Sequence, residues 1–219
     1  MPYHNDLNSQ PIQVLAIDCP IVGDPDPRLA WLQAYVLVTI QPTDDDAPVT
    51  GTVVIGERYA DEMRLITSLE AALDPGAVLA GCELTEMVGR LGRLPIEASN
   101  NKPALALLDK LEAMLARPPI DVSMNRWLEG AFDEAMKEHR SFAFPNGARG
   151  KQGSGPSLNA GLLVAQLVST ASSAARAIID ANATRGQKSG AVAALSNWRD
   201  AVLAEWQLLP PAVPATPNA

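Results

Sequence analysis

Ile12–Asp18 reads IQVLAID, and our prediction of the fold starts from this segment. Its aliphatic and β-branched side chains predict a buried strand that ends on an acidic residue. Two more segments rich in β-branched and aromatic residues follow, at Ala30–Gln41 and Gly51–Tyr59. Because Pro, Gly and Asp residues separate the three segments, short loops join them, and we predict a three-stranded antiparallel meander.

The spacing of apolar residues becomes helical after the third segment. Apolar residues recur at intervals of three and four, at Met63, Ile66, Leu69 and Leu73. This spacing predicts an amphipathic helix, and the apolar run Ala77–Gly81 that follows it predicts a fourth strand. A strand reached through a helical crossover normally lies parallel to its neighbour, so the sheet is expected to be mixed.

Helices and one short strand make up the rest of the predicted fold. The next helix buries Leu84, Met87, Val88 and Leu91, and the later segments are Ala104–Arg117, the strand Ile120–Met124, Arg126–Arg140, Ser157–Ala183 and Ala191–Leu209. In the Arg126–Arg140 helix, the predicted buried stripe is Trp127, Ala131, Phe132 and Ala135. We therefore predict an α/β fold with a mixed five-stranded sheet flanked by helices. Residues 1–209 form a single domain in this prediction, and the Pro-rich residues 210–219 form an extended tail.

Composition excludes some classes of protein. Hydrophobic residues make up 47% of the 219 residues, which argues against general disorder. Lys and Arg number 17 against 25 Asp and Glu, so the net charge of −8 argues against an electrostatic coat for nucleic acid. Two cysteines are too few for a disulfide framework, and we expect a cytoplasmic protein. Charged, Pro or Gly residues interrupt the apolar stretches, so neither secretion nor a membrane partner is expected.

Acidic residues follow two strands that are predicted to be neighbours. Asp18 ends the first strand, and Glu83 comes directly after the crossover strand. Ligands of open α/β sheets bind in the crevice at the carboxyl ends of such strands, so we predict that both residues line one crevice. The structural alternatives are that Asp18 caps a turn and that Glu83 only stabilises the N-terminus of the following helix.

With residues 14–18 (VLAID) opening the sheet and residues 79–84 (LAGCEL) following the crossover, the chain resembles the ribonuclease H-like fold. More narrowly, it is similar to the DEDD 3′–5′ exonucleases related to the exonuclease domain of B-family DNA polymerases. The resemblance covers residues 12–208 in topology and a few short segments in sequence. It implies four carboxylates that hold two divalent metal ions, Mg²⁺ or Mn²⁺, for cleavage of single-stranded nucleic acid.

The sequence departs from the carboxylate pattern that this resemblance implies. Asp18 matches the first metal ligand, but Pro20 stands where the first motif has a glutamate. In the second motif, Glu83 falls on an asparagine and Met87 falls on the metal-binding aspartate. Met87 belongs to an apolar helix face, which makes it a core residue, and Glu86 lies one position before it. Asp18 is therefore the one secure metal ligand.

Asp200 is the nearest match to the carboxylate of the last motif. At about 100° per residue it lies about 140° from the apolar stripe of its helix, so a solvated carboxylate paired with an arginine is the alternative role.

The sequence is consistent with three functions. The first is a binding module for nucleic acid or a protein partner that has lost most metal ligands. The others are an active exonuclease that uses Glu83, Glu86 and Asp200, and a homodimeric scaffold paired through helix 157–183.

Overall fold

The computed structural model describes residues 10–19, 32–41, 48–56, 61–92, 102–143, 158–182 and 185–206. The predicted tail, residues 210–219, lies outside these ranges. The strands within them are β1 (Ile12–Asp18), β2 (Ala34–Ile40), β3 (Thr50–Ile55), β4 (Val78–Gly81) and β5 (Ile120–Asp121). The helices are α1 (Glu62–Ala72), α2 (Leu84–Leu91), α3 (Lys102–Leu115), α4 (Arg126–Ala143), α5 (Leu158–Asn182) and α6 (Arg185–Glu205), with a 3-10 turn at Val122–Met124 between β5 and α4.

The five strands form one mixed sheet in the order β3-β2-β1-β4-β5. β2 runs antiparallel to both β1 and β3, whereas β4 runs parallel to both β1 and β5. The predicted α/β class and the mixed five-stranded sheet are thereby confirmed. Since β1 and β4 are parallel neighbours, their carboxyl ends open at the same edge of the sheet.

Helices cover both faces of the sheet, because β1 is apolar on both sides. Val14 packs in one core with residues of α4, α5 and α6, and Leu15 packs in a second core with residues of α1, α2 and α3. Both residues are at most 1% exposed. The sheet is therefore the middle layer of three, and α5 lies across β1 and β2 between α4 and α6.

A buried amide fixes the crossover from α1 to β4. Gln13 of β1 is only 4% exposed, and its side chain needs partners inside the protein. Its Nε2 donates to the Ala72 carbonyl at 3.1 Å, and its Oε1 accepts from the Asp74 backbone N–H at 2.8 Å. These bonds hold the end of α1 against β1, so the chain enters β4 beside β1.

Two predicted buried residues prove to be exposed. Trp127 is 81% exposed, because Leu128 takes its place on the buried face of α4, whereas Ala131, Phe132 and Ala135 of the predicted stripe do pack on the core. Met63 is 41% exposed, since α1 packs through Leu65, Ile66 and Leu69 instead. The Trp127 and Met63 assignments were therefore wrong, although the helices that contain them are confirmed.

Several predicted boundaries also change. The second and third strands are shorter than Ala30–Gln41 and Gly51–Tyr59 suggested, and the strand predicted at Ile120–Met124 keeps two strand residues before it turns. The last helix begins at Arg185, six residues before the predicted start.

Among the described helices, α5 alone is long and apolar enough to cross a membrane by length and composition. The relevant segment is Ala160–Asn182, with a mean hydropathy of 1.5. Inside this protein, 72% of its apolar window is buried, and core helices of folded proteins meet the same criterion.

Candidate binding crevice

A crevice of about 320 Å³ lies where β1 and β4 end, and we call it the β1–β4 crevice. Asp18 lies at the end of β1, and Glu83 and Glu86 lie at the rim. The structure thus brings together three of the four site residues predicted from sequence. α4 and α5 contribute a further wall of the crevice, which consists of Phe132, Leu163, Gln166, Leu167 and Thr170.

Asp18 is a partly buried carboxylate without a hydrogen-bond donor among the described residues. Its backbone carbonyl accepts from the Gln33 N–H at 3.0 Å, which holds the end of β1 in place. Loss of solvent raises the pKa of the Asp18 carboxyl, and the positive charge of Arg90 opposes this rise. Asp18 therefore carries a charge that the surrounding protein solvates poorly.

Glu86 and Arg90 form an ion pair on one face of α2. The Arg90 Nη2 lies 2.5 Å from the Glu86 Oε1, at the i,i+4 spacing that brings helical side chains together. The hydrogen bond to Glu86 raises the pKa of Arg90 further, so the guanidinium stays charged. Among the described residues that line the crevice, Arg90 is the one cation, and Glu86 already binds it.

Glu83 stands at the turn between β4 and α2 in a left-handed conformation, with φ of 54° and ψ of 42°. Residues other than glycine seldom adopt positive φ, because Cβ crowds the following carbonyl. The side chain of Glu83 makes no capping bond to α2. Glu83 thus stands at the N-terminus of α2, as the structural alternative expects, and its side chain also lines the crevice.

Asp121, at the end of β5, supplies the cap that Glu83 does not. Its carboxylate accepts from the Leu84 N–H at 2.7 Å and from the Glu83 N–H at 3.2 Å. It also accepts from the N–H and the hydroxyl of Ser123, at 3.0 and 2.6 Å. Asp121 thus joins the end of β5 to the start of α2 and fixes the turn that carries Glu83.

Sequence analysis missed Asp121, although a signal for it existed. It lies within the last predicted strand, Ile120–Met124, it ends the observed strand β5, and Gly81 of β4 pairs with it in the sheet. An acidic residue at the end of a third parallel strand belongs to the same edge as the other two.

Asp200 does not line the crevice. It lies on α6 with its side chain 50% exposed, and its Oδ1 is 2.7 Å from the Arg199 Nη2. Two residues earlier, Trp198 lies so close to Gly51 of β3 that a Cβ on this glycine would come within 2.4 Å of the indole. Because β3 lies two strands from β1, about 10 Å away, α6 carries Asp200 along the far edge of the sheet.

The described residues do not fit the two-metal site that the resemblance implies. No group of three or more His, Cys, Asp or Glu side chains among them is arranged to hold a metal ion. Met87 is 7% exposed and packs in the core formed with α1 and α3, so it offers no ligand. We therefore derive no step through a metal ion at this site.

The two cysteines are poor nucleophiles. Burial, with the nearby carboxylates of Glu62 and Asp18, raises the pKa of the Cys19 thiol to about 12. Burial and a group of carboxylates raise the pKa of the Cys82 thiol to about 11. That group consists of Glu83, Asp121, Asp133 and Glu129. Since a thiolate is the reactive form, both thiols are inert near neutral pH, and the field at this end of the sheet is negative.

Comparisons of the chain with protein families, with curated proteins and with solved structures give no match.

Proposed function

We propose that this protein has the ribonuclease H-like fold, is related to the DEDD exonucleases, and acts as a non-catalytic binding module through the β1–β4 crevice. The strand order supports this proposal, because the meander followed by parallel strands agrees with the topology that the resemblance implies. Asp18 supports it as well, since it stands at the end of β1, where the first exonuclease motif has its aspartate.

The position of Met87 is the main observation in favour of a protein that does not cleave nucleic acid. This position corresponds to a metal-binding aspartate in the resemblance, but its side chain is buried among the apolar residues of α1, α2 and α3. A carboxylate in such surroundings would lose its hydration without gaining a partner. Asp200, the predicted carboxylate of the last motif, lies outside the crevice and pairs with Arg199.

A cleavage assay tests this proposal. End-labelled single-stranded DNA and RNA are incubated with the protein in Mg²⁺ or Mn²⁺, next to the variants Asp18→Asn and Asp109→Asn. Asp109 is an exposed residue of α3 that does not belong to the described lining of the crevice, and it serves as the matched control. We expect no shortening from the 3′ end with any of the three proteins. Metal-dependent shortening that Asp18→Asn abolishes and Asp109→Asn preserves would refute the proposal.

An active exonuclease is the second candidate, because Asp18, Glu83 and Glu86 line the same crevice. In this case the rim carboxylates would replace the missing motif residues. The assay above then shows cleavage, and Glu83→Gln or Glu86→Gln reduces it. If both variants keep full activity, Glu83 and Glu86 are excluded as metal ligands.

The homodimeric scaffold stays a prediction. α5 buries Val164, Leu167 and Val168 within the chain, so this part of its apolar surface already has partners. Light scattering over a range of protein concentrations tests the prediction without a charged substitution in the core. A monomer at every concentration would contradict it.

A further inference from the structure

We propose that the β1–β4 crevice receives the side chain of an arginine or a lysine from a protein partner. This inference rests on the proposed function as a binding module and names the chemistry of its ligand. Three features of the crevice support it: the charge of its described lining, the carboxylate of Asp18, which has no donor among the described residues, and the apolar wall that α4 and α5 contribute.

The charge of the crevice favours a cation. Among the described lining residues, Asp18, Glu83, Glu86 and Arg90 are the charged ones, and together they carry a net charge of −2. Arg90 is already paired with Glu86, so the carboxylates of Asp18 and Glu83 have no ion-pair partner among the described residues. Three further carboxylates, those of Asp121, Asp133 and Glu129, act on Cys82 in the lining and deepen the negative field. Complementary charge at a surface of this kind steers and orients a partner.

Asp18 supplies the specific contact. Its carboxylate is partly buried and lacks a donor among the described residues, and a partly dehydrated anion gains most from a charged donor. A guanidinium can donate two parallel hydrogen bonds to one carboxylate, and an ammonium can donate one.

The apolar wall suits the stem of such a side chain. Phe132 of α4 and Leu163 and Leu167 of α5 line the same crevice as Asp18. Arginine and lysine have apolar stems that pack on surfaces of this kind while the charged end reaches a polar group. The face of an aromatic ring such as Phe132 also attracts a cation. The volume of about 320 Å³ is at the small end for ligand sites, as expected for one side chain.

Nucleic acid fits these features less well than a basic side chain does. Its phosphates would meet the carboxylates at the rim, and the guanidinium of Arg90 is engaged by Glu86. The whole chain has a net charge of −8, which opposes a polyanion at long range as well.

Small probes that differ in one charge test the inference. Nα-acetyl-arginine amide is titrated into ¹⁵N-labelled protein, and its neutral isostere, Nα-acetyl-citrulline amide, serves as the ligand control. We expect saturable shifts of amide signals within residues 81–90 and 163–170 for the arginine probe only. Asp18→Asn should weaken binding about tenfold, and Asp109→Asn should leave it unchanged.

Equal binding of both probes, shifts outside the crevice, or binding that Asp18→Asn does not affect would each overturn the inference. Displacement of the arginine probe by a single-stranded oligonucleotide without metal would also overturn the inference and would indicate nucleic acid as the ligand. If neither probe binds and the cleavage assay stays negative, the inference fails alone. If the protein cleaves nucleic acid, the proposed function fails, whatever the probes do.

Discussion

The charge of Asp18 lowers the stability of the folded protein. It stands at the end of a strand buried on both faces, and the described residues give its carboxylate no donor. The folded protein therefore holds the proton of Asp18 more tightly than the unfolded chain does. Between the ordinary pKa of an aspartate and the raised pKa of Asp18, the folded state binds more protons than the unfolded state. The free energy of unfolding therefore falls as the pH rises through this range.

We expect Asp18→Asn to raise the free energy of unfolding at pH 7, because the variant removes a charge that the folded protein solvates poorly. The effect should disappear below the ordinary pKa of an aspartate, where Asp18 is neutral in both states. Urea denaturation at several pH values measures this dependence. A loss of stability at pH 7 in Asp18→Asn would mean that the carboxylate has a favourable partner.

The local sequence was sufficient to predict that β1 ends at Asp18, but it was insufficient to predict whether Trp127 is buried. The β1 boundaries, Ile12–Asp18, were predicted as observed, because a run of aliphatic residues there has no competing helical period. In α4, Trp127 was included in the buried stripe with Ala135, but Leu128 is buried there instead, about 100° around the helix from Trp127. Burial of a helix face depends on its neighbours in space, and a phase difference of about 100° is invisible without them.

At the scale of elements, the turn between β4 and α2 depends on a strand that is distant in sequence. Asp121 of β5 accepts the first backbone donors of α2, and the adjacent Glu83 is held at positive φ. Sequence analysis placed Glu83 at the crevice, and although Asp121 lies in a predicted strand, its role as the support of Glu83 was missed. The reason is physical: a cap supplied from another strand depends on the order of strands in the sheet, which no local pattern encodes.

Substitutions of Glu83, in this turn, and of Asp121, which supports it from β5, should have opposite effects on the free energy of unfolding. Asp121→Ala removes the cap of α2, which costs about 1–2 kcal/mol of unfolding free energy. Glu83→Gly relieves the positive φ and should stabilise the protein by up to about 1 kcal/mol. Denaturant unfolding measures both. If Glu83→Gly is as destabilising as Asp121→Ala, the left-handed turn is not a source of strain.

For the whole molecule, the packing of α6 on the far edge of the sheet bears on the predicted single domain. Trp198 lies directly over Gly51 of β3, so the last described helix covers the end of the meander. The order of elements in the sequence was enough to predict the mixed sheet. It was not enough to predict which side of α6 meets β3, because that contact depends on a glycine that leaves room for an indole.

We expect the protein to unfold in one cooperative transition, and Gly51→Ala to move the whole transition. The new Cβ would come within 2.4 Å of Trp198, so the indole must shift, at a cost of about 1–3 kcal/mol. Circular dichroism and tryptophan fluorescence should give the same midpoint in both proteins. Two separate transitions, with only one changed by Gly51→Ala, would show that α6 and the sheet do not unfold as one unit.

β5 contributes only two residues to the sheet, and the carboxylate of Asp121 connects it to the backbone at the mouth of the crevice. Edge elements with few contacts open more often than the centre of a protein. Each time β5 detaches, the amide protons of Glu83 and Leu84 lose their acceptor and become available for exchange with solvent. The exchange rates of these two amides therefore measure how often the mouth of the crevice comes apart while the rest of the sheet stays folded.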